Sequence, residues 1–566
     1  MQLVGRKQAR ELANGVLIQD EYPAWHDIAA VKSDGTYYVA QGFKWRSDFR
    51  EPATALAADG RFPAFESSRI NVIPMEELLE LYGTERLKRE SGATDSQSAM
   101  AKLQKVLRDA SSARASDLKI IQDGVTTKVR IKVAGREFTY KMVWSATEGT
   151  TAIATIFDAR DEGTGDSTAV TTKFQSFSVS PGSSRLQFPP GVVKMRGQRG
   201  FHEMDAGVGS HMVLRMFYSD EAQRDTATLE SLGFDEEVSD ALAAARAKLA
   251  GGIIIAGATG DGKSTTLVRC LQELYREHQK QISVVTIEDP VEYRIYGDGI
   301  VQIPVRSAGD GDARSAAFRQ ALMHFVRINP DVGSISEVRD ADAAKEVLQF
   351  IDTGHQVWTT IHGSTANGIL FRLIEMGIPP EELCKPGSIE LLMKQSLAPL
   401  ICPYCALSLQ DAGREYGERA ERIRLELEPL EMDLAEVRMR NPEGCAECQP
   451  EQGEEVARQA WTGYVRQTAV AEIIVPDEAY FRHVRARDSF AARSYWLASR
   501  EEGGMGGMPL DAKFTRLALN GYIDPLDAIR KGTDFGKVER RLLLGRPPGP
   551  GGTPRPAKVN GSGRTA

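Results

Sequence analysis

A glycine-rich turn between an apolar run and an amphipathic segment constrains the fold of this chain more than any other feature. Residues 257–264 fit the pattern G-x-x-x-x-G-K-[ST], with the apolar run 252–256 before them and a helix-like segment, 265–274, after them. In such a context the glycines let successive backbone N–H groups turn inward on phosphate oxygens, and the helix N-terminus adds a partial positive charge. The pattern therefore predicts a nucleotide-binding loop. The residues predicted to form it are Gly257, Ala258, Thr259, Gly260, Asp261, Gly262, Lys263, Ser264 and Thr265.

Two side chains of this loop have predicted roles of their own. Lys263 supplies a positive point charge to the phosphates, and the hydroxyl of Ser264 is the expected Mg²⁺ ligand. A loop of this kind does not by itself separate a kinase from a GTPase or a motor. The carboxylates downstream must decide between these classes.

Two downstream carboxylates are candidates for the chemistry. The β-branched run 283–287 ends at Glu288, and the segment 331–340 offers a second strand-end carboxylate, Glu337. Because α/β sheets bind their ligands at the carboxyl ends of the strands, both acids are expected near the phosphates. Glu288 is the candidate to polarise the attacking water. Glu337 is the candidate carboxylate on the side of the site where the metal ion and its water would bind.

Two histidines, His355 and His362, stand seven residues apart around a β-like run. A central strand that carries one or both to the phosphate edge would let an imidazole donate a hydrogen bond to the γ-phosphate. The alternative for either histidine is a hydrogen-bonded core residue.

Four of the six cysteines form two C-x₂-C pairs, Cys402 with Cys405 and Cys445 with Cys448. Each pair can hold one side of a tetrahedral ion, and four thiolates leave no position for water. The pattern predicts a structural Zn²⁺ site, with a redox pair or coincidental cysteines as alternatives. The charge-dense stretch 411–440 between the pairs is predicted to be a solvated helical excursion or hairpin.

From about residue 232 the chain alternates apolar strand, glycine turn and helix, which is typical of a mostly parallel α/β sheet. The predicted fold class is multidomain α/β: a P-loop NTPase (RecA-like) parallel-sheet domain, preceded by α+β N-terminal domains and carrying a tetracysteine zinc insertion. The predicted segments are an α+β domain (1–90), a linker (91–97), a second α+β domain (98–220), an interdomain linker (221–231), the P-loop core (232–398), the tetracysteine subdomain (399–470), a C-terminal helical part (471–543) and a disordered tail (544–566).

Composition bounds the remaining classes. The 566 residues carry 70 Lys and Arg against 78 Asp and Glu, a net charge of −8, which gives no electrostatic footprint for nucleic acid. The N-terminus lacks the apolar region of a signal peptide, and no stretch approaches the ~18 apolar residues of a spanning helix. We therefore expect a cytoplasmic protein, or one peripheral on a membrane, in a reducing compartment.

The motifs stand in one order, and together they closely resemble the secretion ATPases of type II secretion and type IV pilus assembly, the GspE/PilB-like family. In that family the P-loop is followed by an acidic box like 287–292, a Walker B segment like 336–340 and a histidine box like 353–362. The resemblance covers roughly residues 98–480. It implies ATP as the nucleotide, a homohexameric Mg-ATPase, and a partner in the inner-membrane platform protein of a pilus or secretion machine.

The resemblance also extends to single residues and domains. In relatives, arginines of the second N-terminal, PAS-like domain reach the nucleotide, so Arg215 and, as a second candidate, Arg199 are carried over. Residues 1–90 would dock to the partner and keep the protein peripheral at the inner membrane. The catalytic set is then Lys263, Glu288, Glu337, His355, His362 and Arg215.

Departures from the family pattern lie around Walker B. Met323 stands where the first of two arginines is usual; Arg327 keeps the second, and Arg319 is a candidate substitute. Residues 333–334 interrupt the apolar run, and Ser336 takes the place of a glycine. We expect slower or differently regulated turnover from these changes.

The sequence leaves rival functions open. Pilus-extension and type II secretion ATPases commonly carry a tetracysteine site at this place and retraction motors usually lack it, so extension or export is favoured over a pilus-retraction motor. A nucleic-acid translocating P-loop ATPase is a second rival, and a ring subunit that binds ATP only to assemble is a third. The exported object is left open between a pilus, a conjugation-associated thin pilus and secreted enzymes.

Overall fold

The computed structural model describes residues 10–11, 16–18, 28–40, 47–58, 62–73, 78, 81, 95–123, 126–142, 144–161, 174–182, 186–204, 207–218, 228–289, 291–305, 311–448 and 455–544. They belong to two compact units, Met1–Tyr218 and Ser219–Ala566. Each unit has its own sheets and its own core.

The strands of the described ranges are β1 (Arg10–Glu11), β2 (Val16–Ile18), β3 (Ala29–Lys32), β4 (Tyr37–Ala40), β5 (Ile70–Ile73), β6 (Asp117–Gln122), β7 (Thr126–Val133), β8 (Arg136–Thr139), β9 (Trp144–Ser145), β10 (Gln175–Val179), β11 (Val192–Met204), β12 (Gly207–Tyr218), β13 (Gly251–Ala256), β14 (Val284–Glu288), β15 (Ile300–Pro304), β16 (Val332–Val338), β17 (Gln356–Ile361), β18 (Ile389–Ile401), β19 (Leu407–Ser408), β20 (Arg438–Met439) and β21 (Tyr464–Ile474).

The helices of the same ranges are α1 (Ser47–Ala58), α2 (Asp95–Ser112), α3 (Ala146–Asp158), α4 (Glu236–Ala247), α5 (Lys263–Glu277), α6 (Gly311–Ile328), α7 (Ala341–Asp352), α8 (Gly368–Glu375), α9 (Pro380–Leu383), α10 (Leu409–Tyr416), α11 (Glu418–Leu427), α12 (Glu455–Trp461), α13 (Glu478–Arg485), α14 (Ser489–Leu497), α15 (Leu510–Leu519), α16 (Pro525–Arg530) and α17 (Arg540–Leu543). Short 3₁₀ turns lie at Ser67–Arg69, Leu229–Leu232, Glu428–Leu430 and Phe535–Lys537.

The described residues of the first unit form two sheets. The smaller has five strands in the order β1-β2-β3-β4-β5, and its core includes Tyr37 and Phe49. The larger runs β10-β11-β12-β6-β7-β8, with β9 beside β7, and its neighbours pair antiparallel. Along β7 the buried residues Val129, Ile131 and Val133 alternate with more exposed basic ones, as expected for a sheet with one covered face. Helix α3 packs on β6 and β7.

The second unit is built on a seven-stranded sheet in the order β15-β14-β16-β17-β13-β18-β21. All neighbours are parallel except β21, which pairs antiparallel with β18. Every residue of β13 is buried, and this central strand reads as a continuous apolar run because both faces of the sheet are covered. The mixed α/β class and the parallel sheet are as the sequence predicts.

Residues 402–463 leave this sheet between two paired strands. β18 ends at Ile401 and β21 begins at Tyr464, and these two residues are partners in the register. The predicted boundaries 398/399 and 470/471 thus fall inside β18 and β21, so the tetracysteine segment is an excursion from a strand pair of the main sheet. Within it β19 pairs antiparallel with β20.

The charged stretch 411–440 differs from the prediction of a solvated excursion. Its helices α10 and α11 are charged on the outside, but Ile423, Leu427 and Leu430 are buried in a cluster that includes Phe514 and Leu517 of α15. The stretch is therefore an amphipathic layer on the C-terminal helices.

Three further predictions concern the segments between and beyond the domains. The linker 91–97 runs into α2, which includes Asp95. The linker 221–231 lies outside the described residues up to 227, and 229–231 belong to a 3₁₀ turn. The tail 544–566 lies outside the described residues after 544. Among the helices that the structure describes, none is both long and apolar enough to cross a bilayer.

Candidate nucleotide site and metal centre

The glycine-rich loop connects β13 to α5 as predicted. Gly260 and Gly262 have φ values of +89° and +82°, a region that favours glycine, and Gly262 is the N-cap of α5. The ammonium group of Lys263 donates to the carbonyl oxygens of Gly257 at 2.7 Å and Ala258 at 3.0 Å. The loop thus presents a lysine and a helix N-terminus at the carboxyl end of the central strand, which is the geometry of a phosphate site.

Lys263 lies in a charged environment. Burial lowers the pKa of its ammonium group, and the carboxylates of Glu337, Asp261 and Glu292 oppose that effect. Ser264 is the second residue of α5, one position beyond Lys263 in the first turn. Both residues are therefore at the N-terminus where phosphate and its metal ion would bind.

Glu288 is the last residue of β14 and is held by three donors. Its carboxylate accepts hydrogen bonds from the hydroxyl of Thr286 at 2.7 Å, the side-chain amide of Gln302 at 2.8 Å and the backbone N–H of Glu292 at 3.4 Å. Burial raises the pKa of Glu288, and the hydrogen bonds from Thr286 and Gln302 work against that increase. A carboxylate with a raised pKa and a fixed orientation suits a general base.

Glu337 lies near the end of β16 between the guanidinium group of Arg339 and the imidazole of His362. Its oxygens are 2.6 Å from Nε of Arg339 and 2.8 Å from Nε2 of His362. Arg339 also approaches Asp289 at 3.9 Å, next to Glu288 in the chain. Arg339 therefore lies between Glu337 and Asp289, the residue that follows Glu288 in the chain.

The strand containing Glu337 runs through Gly333 and Ser334, the two residues that interrupt the apolar run. β16 spans Val332–Val338, and a Cβ on Gly333 would lie 2.3 Å from the ring of Phe325. The glycine is there because the Phe325 ring occupies the side-chain space. Met323 and Arg327 lie on α6, where Met323 is exposed, and Arg319 of the same helix approaches Asp342 at 3.9 Å.

The two histidines lie at opposite ends of β17. His362 follows the carboxyl end and contacts Glu337, whereas His355 precedes the amino end and stacks on Phe350 with ring centroids 4.2 Å apart. Because they flank this six-residue strand, seven residue steps separate them, roughly 23 Å at ~3.3 Å per residue. The carboxyl end of β17 lies on the phosphate side of the sheet, whereas His355 lies at the amino end. The prediction that His355 acts on the phosphates within this chain is therefore wrong.

The predicted arginines belong to the first unit. Arg215 of β12 pairs with Asp117 of β6, with Nε and Nη2 at 3.1 and 3.0 Å from the same oxygen. Arg199 of β11 lies over the ring of Phe157 at 5.6 Å, and burial lowers the pKa of its guanidinium group. Their role toward a nucleotide stays a prediction.

The four predicted cysteines converge on one point. Their sulfur atoms all lie within 4.8 Å of one another, and three of the distances are 3.7–3.8 Å. Four thiolates about 2.3 Å from a tetrahedral ion would have sulfur atoms about 3.8 Å apart, so the set fits zinc. Backbone N–H groups of Cys445 and Gly463 donate to Sγ of Cys448 at 3.2 and 3.3 Å, as support for a ligating thiolate.

The sequence did not predict the residues that position Glu288 and the phosphate loop. Thr286 and Gln302 orient Glu288, and Gln395 of β18 contacts the loop, its amide donating to the backbone oxygen of Asp261 at 2.8 Å. Thr286 is two residues before Glu288 on one strand, a spacing that places both side chains on the same face. Gln395 has no local signal, because its partner is 134 residues away.

The loop, Glu288, Glu337 and His362 lie at the carboxyl ends of four adjacent parallel strands, β13, β14, β16 and β17, and therefore on one side of the sheet. This fold and site define a RecA-like P-loop nucleotide-binding domain with a separate tetracysteine centre. The family model described as "Type II/IV secretion system protein" matches residues 193–496, more than half of the chain. The chain belongs to this family.

Individual relatives agree with that assignment. The type II secretion system protein E of Aeromonas hydrophila is 30% identical over 277 residues, 49% of this chain and 48% of the relative. The type IV pilus assembly ATPase PilB of Pseudomonas aeruginosa is 31% identical over 240 residues, 42% of this chain and 38% of the relative. The chain spans about half the length, or less, of the curated relatives it matches.

Two solved structures also align with the chain. The pilus retraction motor PilT with bound ADP aligns at a TM-score of 0.48 and 18% identity, over 77% of this chain and 98% of the other. The ATPase DotB of Legionella pneumophila aligns at 0.48 and 18%, over 76% of this chain and 95% of the other.

Proposed function

We propose that the chain is a Mg-dependent motor ATPase that powers type IV pilus assembly or type II protein secretion. The observation that carries the proposal is the convergence of the phosphate loop and two carboxylates at one edge of a parallel sheet. Hydrolysis of a nucleoside triphosphate requires a loop that binds the phosphates, a base for the attacking water and a carboxylate near the metal ion.

Each of these residues has a distinct proposed task. Lys263 and the N-terminal amides of α5 bind the phosphates, and Ser264 would hold Mg²⁺. Glu288 accepts the proton of the attacking water, which its raised pKa favours. Glu337 orients the water on the side of the site where Mg²⁺ would bind. His362, on the neighbouring strand, contacts Glu337 and donates a hydrogen bond to that carboxylate or to the γ-phosphate. The role that the family resemblance gives to Arg215, contact with the nucleotide, is part of the same proposal.

The proposed assembly is a homohexamer on the cytoplasmic face of an inner membrane. Residues 1–90 would dock to its partner, a platform protein of the pilus or secretion machine. ATP binding would favour one arrangement of the 98–220 domain relative to the ATPase core, and hydrolysis would release it. A ligand that makes different contacts in two domain arrangements shifts the equilibrium between those arrangements. The resulting domain movement would drive the partner protein.

The tetracysteine centre supports export over retraction. Zinc bound there would be structural, since four thiolates close its coordination shell. It would tie the excursion to β18, which lies next to the phosphate-loop strand β13, and to β21, which pairs with β18. The resemblance to assembly and secretion ATPases, which commonly carry such a centre, points the same way.

The rival functions make different predictions. A pilus-retraction motor would raise surface fibre when inactivated. A nucleic-acid translocase would be stimulated by DNA in a salt-sensitive manner, which the net charge of −8 disfavours. A ring subunit that only binds ATP would show no turnover.

Steady-state ATP hydrolysis by the full-length protein tests the proposal. We expect Mg-dependent turnover that Glu288→Gln and Glu337→Gln each reduce by about a hundredfold or more while nucleotide binding persists. Glu478→Gln, an exposed glutamate of α13, is the matched control and should retain turnover. Turnover absent in the wild type, or unchanged in both site variants, would contradict the proposal.

A further inference from the structure

The phosphate loop contains a carboxylate that is almost completely buried. Asp261 is 7% exposed, and one of its oxygens accepts a hydrogen bond from the backbone N–H of Ala258 at 2.9 Å. A loop that binds phosphate works by gathering N–H donors and positive charge. A free negative charge inside it would repel the ligand, so this carboxylate needs compensation.

Lys394 supplies the first compensating charge. It lies on β18 beside Ala256, the last residue of the strand that leads into the loop, and it is 7% exposed. Its ammonium group is 3.1 Å from Asp261 and donates to the backbone oxygen of Gln395 at 2.7 Å. Removal of one partner of a buried pair leaves the other charge uncompensated, which is far more costly than loss of an exposed pair.

Lys531 supplies a second charge from another part of the chain. It follows α16, and its ammonium group is 3.6 Å from the other carboxylate oxygen of Asp261. The hydroxyl of Ser396 donates to that same oxygen at 3.3 Å. Burial alone would raise the pKa of Asp261, but Lys394 and then Lys531 lower it below its usual value. The carboxylate is therefore ionised at neutral pH, and the three groups together have a net charge of +1.

The position of the loop backbone is secured separately. The side-chain amide of Gln395 donates to the backbone oxygen of Asp261 at 2.8 Å and its carbonyl accepts from the hydroxyl of Thr266 at 2.8 Å. A neutral clamp thus already ties the loop and α5 to β18. The lysines therefore contribute mainly charge.

We propose that Lys394 and Lys531 are positioning residues for nucleotide binding, which act through Asp261 by turning a repulsive charge in the phosphate loop into a net positive one. The ligand they favour is the one with the most phosphate charge. The inference rests on the proposed ATPase function and names residues that set the affinity of that same site for a triphosphate over a diphosphate.

Dissociation constants of the full-length chain for Mg-ATP and Mg-ADP, with Lys394→Met against wild type, test the inference. Loss of one positive charge near the phosphates should weaken ATP binding about tenfold at an effective dielectric constant of about 20, and ADP binding less, because ADP has less charge. The double variant Lys394→Met/Asp261→Asn removes both charges and should return ATP affinity to within about threefold of wild type.

A matched control separates charge from folding. Lys513 is also buried in an ion pair of the second unit, 2.8 Å from Asp235 and 3.0 Å from Glu237. Lys513→Met should lower the melting temperature and leave the ratio of ATP to ADP affinities unchanged. If Lys394→Met does not fold, Lys531→Met, whose side chain is 31% exposed, must weaken ATP binding in the same direction.

Each outcome decides a separate point. A wild-type chain that binds neither nucleotide would refute the proposed function itself. Wild-type binding with an unchanged ATP affinity in the lysine variants would overturn the inference. Equal weakening of ATP and ADP without rescue by the double variant would assign the lysines a structural role and would also overturn it.

Discussion

The hydroxyl of Thr286 should lower the pKa of Glu288, the proposed general base. Thr286 is fully buried, and its hydroxyl donates to Glu288 at 2.7 Å. Thr286→Val replaces the hydroxyl by a methyl group at nearly equal volume. The carboxylate then keeps its contacts with Gln302 and the backbone N–H of Glu292.

The magnitude follows from the hydrogen bond that is lost. A hydrogen bond to a charged group contributes about 1.5–3 kcal/mol, and about 1.4 kcal/mol corresponds to one pKa unit. The contact with Thr286 favours the ionised form of Glu288, whose pKa burial already raises. Its loss should raise that pKa by about one to two units, so the acidic limb of the activity profile should move to higher pH by that amount.

The assay is kcat for ATP hydrolysis at saturating Mg-ATP from about pH 5 to about pH 9. Thr286→Ser keeps the hydroxyl and serves as the control, with a profile expected to follow the wild type. A Thr286→Val profile that superimposes on the wild type, or an equal shift in both variants, would refute the assignment of Glu288 as the base.

Two other predictions concern the packing of β16 and the metal centre. Gly333→Ala should destabilise the protein to urea by about 1–3 kcal/mol, because its new Cβ would lie 2.3 Å from the ring of Phe325. Gly413→Ala, in α10 with open space around it, should be neutral or stabilising by up to about 1 kcal/mol, and equal stability changes in the two variants would contradict the packing argument. Cys445→Ser should abolish bound zinc, measured by metal analysis of the purified chain, and lower the melting temperature, because it removes one of four ligands. Tyr404→Ala, at an exposed residue between two ligands, should keep the metal; retention of zinc by the cysteine variant would contradict a tetrathiolate site.

Local patterns predicted the centre of the fold and part of the site. The phosphate loop and both cysteine pairs are short motifs whose geometry depends on a few consecutive residues, and the structure has them as expected. Glu288 and Glu337 were predictable because they lie at or next to the carboxyl end of a buried strand, and neighbouring parallel strands bring such residues together.

Other features depend on contacts that no local pattern encodes. His355 and His362 both flank β17. Only the direction of this strand in the sheet decides which of the two lies at the phosphate site. The contact between Asp261 and Lys394 joins residues 133 positions apart. Gly333 interrupts an apolar run in the sequence, but in the fold the Phe325 ring replaces the missing side chain.

The charged stretch 411–440 did contain a usable signal. Ile423, Leu427 and Leu430 are spaced by four and three residues, the period of one helix face, and all three are buried. The high charge density of the surrounding residues hid this stripe. A search for helical periodicity within charge-rich stretches would have predicted that one face packs.

Surface pilin and secreted protein from the native host test the central claim most directly. The chromosomal gene would carry Lys263→Ala, with Lys537→Ala, an exposed lysine paired with Asp534, as the matched control. We expect Lys263→Ala to abolish surface fibre or secreted product, while the control behaves as wild type. Unchanged or increased surface fibre with secretion intact would contradict an assembly or export motor.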